Sequence, residues 1–84
     1  MYEIIFESNA EKDLLEIPTE ILKNLDSKIQ QLKKNPRPHG VKKLTGKVEG
    51  WRIRIGHYRI LYQIDDKEKV IKVYRIKHRR EVYR

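Results

Sequence analysis

The chain has 84 residues, among them 20 Lys and Arg, 12 Asp and Glu and no Cys, and its formal net charge is +8 at pH 7. This length accommodates one small domain with one core. The lack of Cys excludes a disulfide framework and a Cys-based zinc site. No apolar stretch approaches the roughly 18 residues of a membrane span and no signal-peptide pattern is present, so we expect a soluble cytoplasmic protein without membrane contact.

The charge is unevenly distributed along the chain. Residues 1–35 contain five basic and seven acidic side chains, whereas residues 36–84 contain fifteen basic and five acidic ones. Such a concentration of positive charge is typical of proteins that bind a polyanion, most often a nucleic acid. A lysine-rich solubilising surface is the alternative interpretation.

The N-terminal part predicts one strand followed by two helices. Tyr2–Phe6 forms a short apolar strand. Ser8 with Glu11 three residues later resembles a capping box, which satisfies the free N–H groups at the start of a helix. Pro18 ends this helix and suits the first turn of a second one over residues 19–34, whose apolar residues recur every three or four positions. We expect the two helices to pack as an αα-hairpin on one face of a sheet.

The C-terminal part predicts three strands and a short tail. In chain order, it comprises a loop over 36–46, a strand from Lys47 or Val48 to Ile55, a strand over 58–64, a polar turn over 65–69, a strand over Val70–Lys77 and a polar tail over 78–84. The last strand has apolar residues on both faces, as a central strand does. The order β-α-α-β-β-β predicts a single α+β domain over residues 1–84 with a small, mostly antiparallel twisted sheet.

The run from Trp51 to Tyr62 holds the most informative pattern, because cationic and apolar residues alternate in it. If Gly56-His57 is a two-residue type II′ turn, Arg54 lies opposite Arg59, and Arg52 shares their face. Like charges that face each other destabilise a sheet, so this cluster predicts a site for an anion. The helices are expected to cover the other face and to leave the arginines exposed. That other face receives Ile53, Ile55, Tyr58, Ile60 and Tyr62, with Trp51 also in the core by the same alternation.

Four segments give the chain a close resemblance to a known superfamily. They are Lys43–Gly46, Trp51–Arg54, Tyr58–Tyr62 and His78–Tyr83. With them, nearly the whole chain resembles the RelE/ParE superfamily of bacterial and archaeal toxins, on the RelE side (RelE/StbE-like). ParE-type members, which poison gyrase, tend to lack the terminal Glu-Val-Tyr that RelE-type ribonucleases tend to keep. This chain is similar to the second kind.

The resemblance implies the toxin of a type II toxin–antitoxin system. Its activity would be that of a ribosome-dependent endoribonuclease (an mRNA interferase) that cuts mRNA in the ribosomal A site. A ribose 2′-hydroxyl attacks its own 3′-phosphate in this chemistry, which needs no metal and no cofactor. The implied partners are mRNA in the A site, ribosomal RNA of the 16S type and a RelB-like antitoxin that wraps the toxin.

The resemblance also implies roles for individual residues. Arg52 and Arg54 match two cationic strand positions, and Arg59 matches the arginine that steadies the phosphoryl transition state. Arg79 matches a terminal arginine that acts as general acid or stabilises the leaving group, although a tail shorter by about two residues lets Arg80 take that match instead. Tyr83 matches the aromatic residue that holds the substrate nucleotide. A basic segment that grips the RNA backbone is matched by Lys42 and Lys43, and we add Lys47 and Arg80 to the RNA-binding set.

The residue that transfers the proton is open at this point. The best-known RelE type has lysines where this chain has Arg52 and Arg54, and arginine is effectively always charged, which argues against Arg54 as a base. His78 is the first candidate for base or acid because histidine titrates near neutral pH. A structural hydrogen bond is an equally favoured role for it.

Two other functions remain in competition with RNA cleavage. One is a ParE-like inhibitor that binds gyrase without ribonuclease activity. The other is a catalytically silent module that binds RNA or a protein partner. The three arginines and the terminal Tyr83 favour cleavage over both.

Overall fold

The computed structural model describes residues 1–44 and 50–82. The elements in chain order are β1 (Glu3–Phe6), α1 (Ser8–Leu15), α2 (Thr19–Gln31), β2 (Lys42–Lys43), β3 (Trp51–Ile55), β4 (Tyr58–Asp65), β5 (Val70–His78) and α3 (Arg79–Val82). The strands form one sheet in the order β1-β5-β4-β3-β2. Only the β1–β5 pair is parallel, so the predicted α+β fold with a mostly antiparallel sheet is confirmed.

The first helix begins differently from the prediction, whereas the second begins at Thr19 as predicted. Glu7 is the N-cap of α1, its side chain makes no capping hydrogen bond, and Ser8 is already the first helical residue. The prediction that Ser8 caps this helix in a capping box with Glu11 is therefore wrong. Pro18 is the N-cap of α2, and its carbonyl accepts hydrogen bonds from Ile21 and Leu22. Its fixed φ holds the chain extended there and keeps the connection between the helices short.

The core lies between the helices and one face of the sheet. Its buried apolar residues are Ala10, Ile17, Leu25, Ile29, Leu32, Ile55, Ile60, Tyr62, Ile71, Val73 and Ile76. Burying each large side chain of this kind contributes about 1.5–3 kcal/mol. The predicted covering of the Ile55 and Ile60 face by the helices is thus confirmed, and we call it the core face. None of the described helices is long and apolar enough to cross a membrane.

The central hairpin has the predicted register. Gly56 and His57 join β3 to β4, and Gly56 has φ +60°, as the first position of a type II′ turn requires. Ile55 pairs with Tyr58, and Arg54 pairs with Arg59. The glycine therefore fixes which arginines face each other.

A β-bulge changes the alternation of β5. Leu61 pairs with Arg75 and Tyr62 with Val73, so Tyr74 has no direct partner on β4. The extra residue shifts the pattern by one and places Ile76 on the core face together with Val73. Ile71 is buried on the core face, and its neighbour Val70, which pairs with Asp65, lies on the opposite face. The prediction that apolar residues of β5 occupy both faces is therefore confirmed.

Gly50 and the bulge lie in contact. Gly50 has φ +150°, and a Cβ atom there would lie 2.8 Å from the carbonyl oxygen of Tyr62 and 3.2 Å from Oη of Tyr74. Only glycine fits this backbone conformation and this close approach. The bend or bulge that the sequence suggested at Gly50 thus lies against β4 and Tyr74, the bulged residue of β5.

Two short elements were not predicted. The strand β2 lies inside the segment assigned to a loop over 36–46, and the helix α3 lies inside the polar tail. The predicted strand start at Lys47 or Val48 lies outside the described residues. Neither β2 nor α3 has a hydrophobic periodicity, so only their contacts with neighbouring strands define them.

Candidate functional site

Three cations lie in one row across the three central strands. Arg54 pairs with Arg59, and Arg59 pairs in turn with Lys77 of β5. Directly paired residues point to the same face, and their Cβ atoms are about 5 Å apart. We call Arg54, Arg59 and Lys77 the cation row, and the side of the sheet that bears it the cationic face.

A second row on the same face is also basic. Lys42 pairs with Arg52, Arg52 with Leu61, and Leu61 with Arg75. Alternation along β5 adds Lys72, which pairs with Gln63. The cationic face thus gathers lysine and arginine from four strands.

The cations of this face differ in exposure. Arg54 is exposed and Arg52 is half-buried, whereas Arg59 is only 5% exposed. The expectation that the arginines of this face are exposed is therefore wrong for Arg59, which lies in a central strand with neighbours on both sides. Its Nη1 donates a hydrogen bond of 3.5 Å to the carbonyl of Tyr58. Arg54 donates from Nε to the carbonyl of Gly56 at 3.3 Å, so its head group lies over the hairpin turn.

Arg75 is held by an acidic residue from outside the sheet. Asp13 of α1 accepts from its Nε at 2.9 Å and from its Nη2 at 3.3 Å, and also from the backbone N–H of Ile76 at 2.8 Å. The last bond satisfies a backbone N–H of β5 beyond Val73, where the pairing with β1 ends. Arg75 therefore connects α1 to the sheet. The carboxylate of Asp13 compensates its positive charge.

Acidic side chains are scarce in the strands of the cationic face. β3, β4 and β5 contain one acidic residue, Asp65, which lies at the far end of β4. The oxygen Oδ1 of Asp65 accepts a hydrogen bond from the N–H of Glu68 within the following turn. The positive potential of the row is thus not cancelled within these strands, which suits an anionic ligand.

Sequence reasoning missed Lys77, Arg75 and Lys72 as members of this face. The signal is the alternation of basic residues in Arg75-Ile76-Lys77. It could not be used, because the five-residue turn between β4 and β5 leaves their register open and the bulge at Tyr74 reverses the alternation.

His78 lies on the other side of β5 from Lys77. It pairs with Tyr58, its ring contacts the Tyr58 ring edge-on at 5.2 Å, and it stacks on His57 at 6.0 Å. Its Nδ1 accepts a hydrogen bond of 3.3 Å from the N–H of Arg80. This placement favours the structural role for His78 over direct contact with a ligand of the cation row.

The C-terminal basic residues begin the helix α3, which packs against β4 and β5. Arg79 and Arg80 are both exposed. The N–H of Arg79 donates to the carbonyl of His57 at 2.7 Å, which fixes the start of α3 beside the hairpin turn. Arg79 is therefore brought close to the end of the cation row. The predicted site residue Tyr83 lies outside the described residues.

Trp51 is at the edge of the core and carries cations on its ring. It is half-buried, with Cζ of Arg37 at 5.1 Å and Nζ of Lys43 at 6.0 Å from the ring centroid. The prediction that it lies within the core is only partly met, because it packs against the core but stays half-buried at the start of β3. Lys42 and Lys43 are both exposed, and Lys47 lies outside the described residues.

Asp66 holds that loop in place. It accepts from Nη2 of Arg37 at 2.8 Å and from the hydroxyl of Tyr2 at 2.6 Å. The hydrogen bond with Arg37 is the main cause that lowers the pKa of Asp66 to about 2, followed by that with Tyr2. Buried Tyr62 donates to the carbonyl of Pro36 at 2.7 Å, and burial raises its pKa to about 12, so its hydroxyl stays neutral.

The described residues include no group of three or more His, Asp and Glu side chains that could hold a metal ion. The cationic face presents guanidinium and ammonium groups.

The family model described as "ParE toxin of type II toxin-antitoxin system, parDE" matches residues 4–83. The chain belongs to this family of toxins. Two curated relatives of the toxin carry RelE-type names. The putative toxin RelE1 of Methanocaldococcus jannaschii is 34% identical over 76 residues, which cover 87% of this chain and 84% of the relative. Toxin RelG of Mycobacterium tuberculosis is 33% identical over 85 residues, which cover 99% of this chain and 97% of the relative.

Solved structures of the same fold include toxin–antitoxin complexes. A chain of the RelBE2 complex from Mycobacterium tuberculosis superposes on the toxin with a TM-score of 0.81 and 30% identity, covering 92% of this chain and 96% of that one. A chain of the archaeal RelE–RelB complex from Pyrococcus horikoshii gives a TM-score of 0.81 and 29% identity, covering 93% and 94%. The toxin is thus a member of the RelE/ParE superfamily in both sequence and fold.

Proposed function

We propose that this toxin is a ribosome-dependent endoribonuclease that cleaves mRNA in the A site by attack of a ribose 2′-hydroxyl on the adjacent phosphate. The observation that carries the proposal is the register that places Arg54, Arg59 and Lys77 in one row. Membership of the RelE/ParE superfamily and two relatives named as RelE-type toxins support it.

The arginines suit the charge that develops in this reaction. The transition state gathers negative charge on the non-bridging oxygens of the phosphate, and fixed guanidinium groups stabilise it without reorganising. Arg54 and Arg59 would clamp the scissile phosphate, since guanidinium binds such oxygens bidentately. Arg52 would neutralise a neighbouring phosphate. No metal and no cofactor takes part in this route.

Access to Arg59 requires a local movement. Its side chain is almost fully covered, whereas Arg54 is open to solvent. We infer that RNA first meets Arg54 and reaches Arg59 only when neighbouring side chains on the cationic face move aside. Part of the binding energy is then used to open the site.

The remaining predicted residues would position the substrate. Lys42 and Lys43 on β2 would bind the RNA backbone, with Lys47 and Arg80 in the same role. Arg79, near the end of the cation row, would stabilise the leaving group by its charge. Tyr83 would stack on a base, a contact worth about 1–3 kcal/mol. His78 would orient α3 through its bond with the N–H of Arg80.

The partners follow from the same proposal. The toxin would act on mRNA in the A site in contact with 16S-type ribosomal RNA, and hence in the cytoplasm. A RelB-type antitoxin would wrap the domain; the neighbouring structures from Mycobacterium tuberculosis and Pyrococcus horikoshii are themselves RelBE-type complexes. An acidic or amphipathic antitoxin segment suits the net charge of +8.

A gyrase inhibitor of the ParE type is the second candidate, because the matching family model is described as a ParE toxin. It differs from the first in its target and in having no ribonuclease activity. A catalytically silent module that binds RNA or a partner would leave both targets intact.

Mapping of mRNA 5′ ends after induction of the toxin separates these functions. Codon-phased cuts are expected with the wild type, and Arg59→Ala should lower their rate by about 10²–10³. The control Lys12→Ala removes one positive charge from α1 and should cut like the wild type. Intact mRNA together with DNA damage would favour the gyrase inhibitor, and intact mRNA and DNA would favour the silent module.

A further inference from the structure

We propose that Lys77 donates the proton that the leaving 5′-oxygen takes up when the RNA is cut. This inference rests on the proposed ribonuclease function and assigns its general acid. Neither the resemblance to the superfamily nor the pattern of the hairpin pointed to this residue, since only the register of β5 against β4 brings it to the site.

The position of Lys77 suits this role. It is one strand away from Arg59 and two strands away from Arg54, a span of about 10 Å at the usual spacing of strands. A phosphate bound over Arg59 with its non-bridging oxygens toward the two arginines would have a bridging oxygen within reach of the flexible Lys77 side chain. The half-buried Lys77 thus forms the third side of the phosphate site.

The chemistry of the row singles out the lysine. Arginine cannot release a proton in a protein, so Arg54 and Arg59 act by charge alone. A lysine ammonium carries three protons and can release one. The nearest histidine along the chain, His78, is on the opposite side of β5 with Nδ1 engaged by Arg80.

The ammonium group of Lys77 is also available. Among the described side chains, those of residues 1–44 and 50–80, none forms a hydrogen bond or ion pair with the Lys77 side chain. Arg75, two residues before it on the same strand, is by contrast held by Asp13 through two hydrogen bonds. Lys77 can therefore turn toward a bound phosphodiester without breaking a contact to the described residues.

The proposed step balances in atoms and charge. The 2′-oxygen attacks the phosphorus and gives its proton to a solvent water. The bond between the phosphorus and the 5′-oxygen breaks, and a proton from Nζ of Lys77 passes to that oxygen. The products are a 2′,3′-cyclic phosphate and a 5′-hydroxyl, and the neutral amine regains a proton from solvent.

Replacement of the leaving oxygen by sulfur tests this assignment. Programmed ribosomes would carry a synthetic mRNA with either the normal 5′-oxygen or a 5′-bridging sulfur at the cut site. A thiolate leaves without protonation, so a missing general acid should matter only for the oxygen substrate. We expect Lys77→Met to lower single-turnover cleavage of the oxygen RNA by about 10²-fold or more. Cleavage of the sulfur RNA should change less than about threefold under the same expectation.

Two further variants separate proton donation from charge. Lys77→Arg keeps the positive charge but cannot donate a proton, so it should show the same selective loss on the oxygen RNA. Arg54→Met removes part of the phosphate clamp and should lower cleavage of both RNAs alike. Thermal unfolding of each variant reports whether it is folded, and Lys12→Met serves as the charge-matched control on α1.

The outcomes distinguish this inference from the proposed function. Suppose that the wild type cleaves both RNAs. If Lys77→Met then loses activity equally on the two RNAs, or keeps full activity on both, Lys77 is not the general acid. If Lys77→Arg retains full activity on the oxygen RNA, the lysine acts by charge alone and the inference is wrong. If the wild type cleaves neither RNA, the proposed function itself fails and the assignment of Lys77 with it.

Discussion

At the scale of single residues, burial decides what each polar group can do. Arg59 is almost fully covered and is thereby held in one position, whereas Arg54 on the neighbouring strand is exposed and contacts the hairpin turn. Tyr62 is fully buried, and its hydroxyl fixes the carbonyl of Pro36 at the start of the loop that leads to β2. The same sheet thus contains one polar group that we propose for a ligand site and another that holds a loop in place.

Removal of the Tyr62 hydroxyl should destabilise the fold. In Tyr62→Phe the buried carbonyl of Pro36 loses its donor, which costs about 1–3 kcal/mol in the free energy of unfolding. Tyr58→Phe is the matched control, because no hydrogen bond of the Tyr58 hydroxyl is observed among the described residues. Urea unfolding of both variants measures the difference. Equal stability of the two would show that the bond to Pro36 contributes nothing net.

At the scale of elements, side-chain bonds tie short segments to the sheet. Asp13 connects α1 to β5 through Arg75, and Asp66 connects the turn after β4 to the loop that contains Arg37 and to Tyr2 beside β1. The bond between Asp66 and Arg37 holds the loop that leads to β2, a strand of only two residues with little stability of its own. The loop after α2 is therefore ordered by contacts that are distant in sequence.

The Asp66 contacts should make stability depend on pH in acid. The pKa of Asp66 is lowered to about 2 in the folded state, chiefly by the hydrogen bond from Arg37. The unfolded state, with an ordinary value of about 3.9, then binds the proton first. The stabilisation is therefore present above about pH 4 and is lost as the pH falls toward 2.

The difference in unfolding free energy between the wild type and Asp66→Asn should accordingly be constant above pH 5 and shrink toward pH 2. Urea unfolding from pH 2 to 6 measures it, and low salt makes it larger because the carboxylate is exposed. Glu68→Gln changes the same charge in the same turn and serves as the control. A difference that stays constant down to pH 2 would contradict the role of Asp66.

At the scale of the whole molecule, the fold separates the two kinds of charge. Seven of the twelve acidic residues lie in residues 1–35, whereas the cationic face collects basic residues of four strands. Such a separation gives a directed field that attracts a polyanion and raises its association rate. It also makes binding depend on salt, since bound cations release the counterions of the nucleic acid.

The affinity for single-stranded RNA should therefore fall steeply with salt. If the cationic face neutralises three phosphates, the slope of log affinity against log salt is about −2, at roughly −0.7 for each phosphate. Arg54→Ala should reduce the slope by about 0.7, while Lys12→Ala on α1 should leave it unchanged. Fluorescence titration at several salt concentrations provides the slopes. A slope near zero for the wild type would contradict the electrostatic role of this face.

Local sequence signals determined the helices, the central hairpin and half of the site. Pro18, the spacing of apolar residues and the glycine at position 56 are sufficient for these, because each acts on residues close by in the chain. The hairpin register and the pairing of Arg54 with Arg59 were therefore predictable, and both are confirmed.

The other half of the site was decided by tertiary structure. The place of β5 in the sheet and the bulge at Tyr74 bring Lys77 to Arg59 and turn His78 away. Neither is encoded in a local pattern, since a long-range register is chosen by the packing of the whole core. The burial of Arg59 has the same origin, because it depends on what surrounds a central strand and not on the residues next to it in sequence.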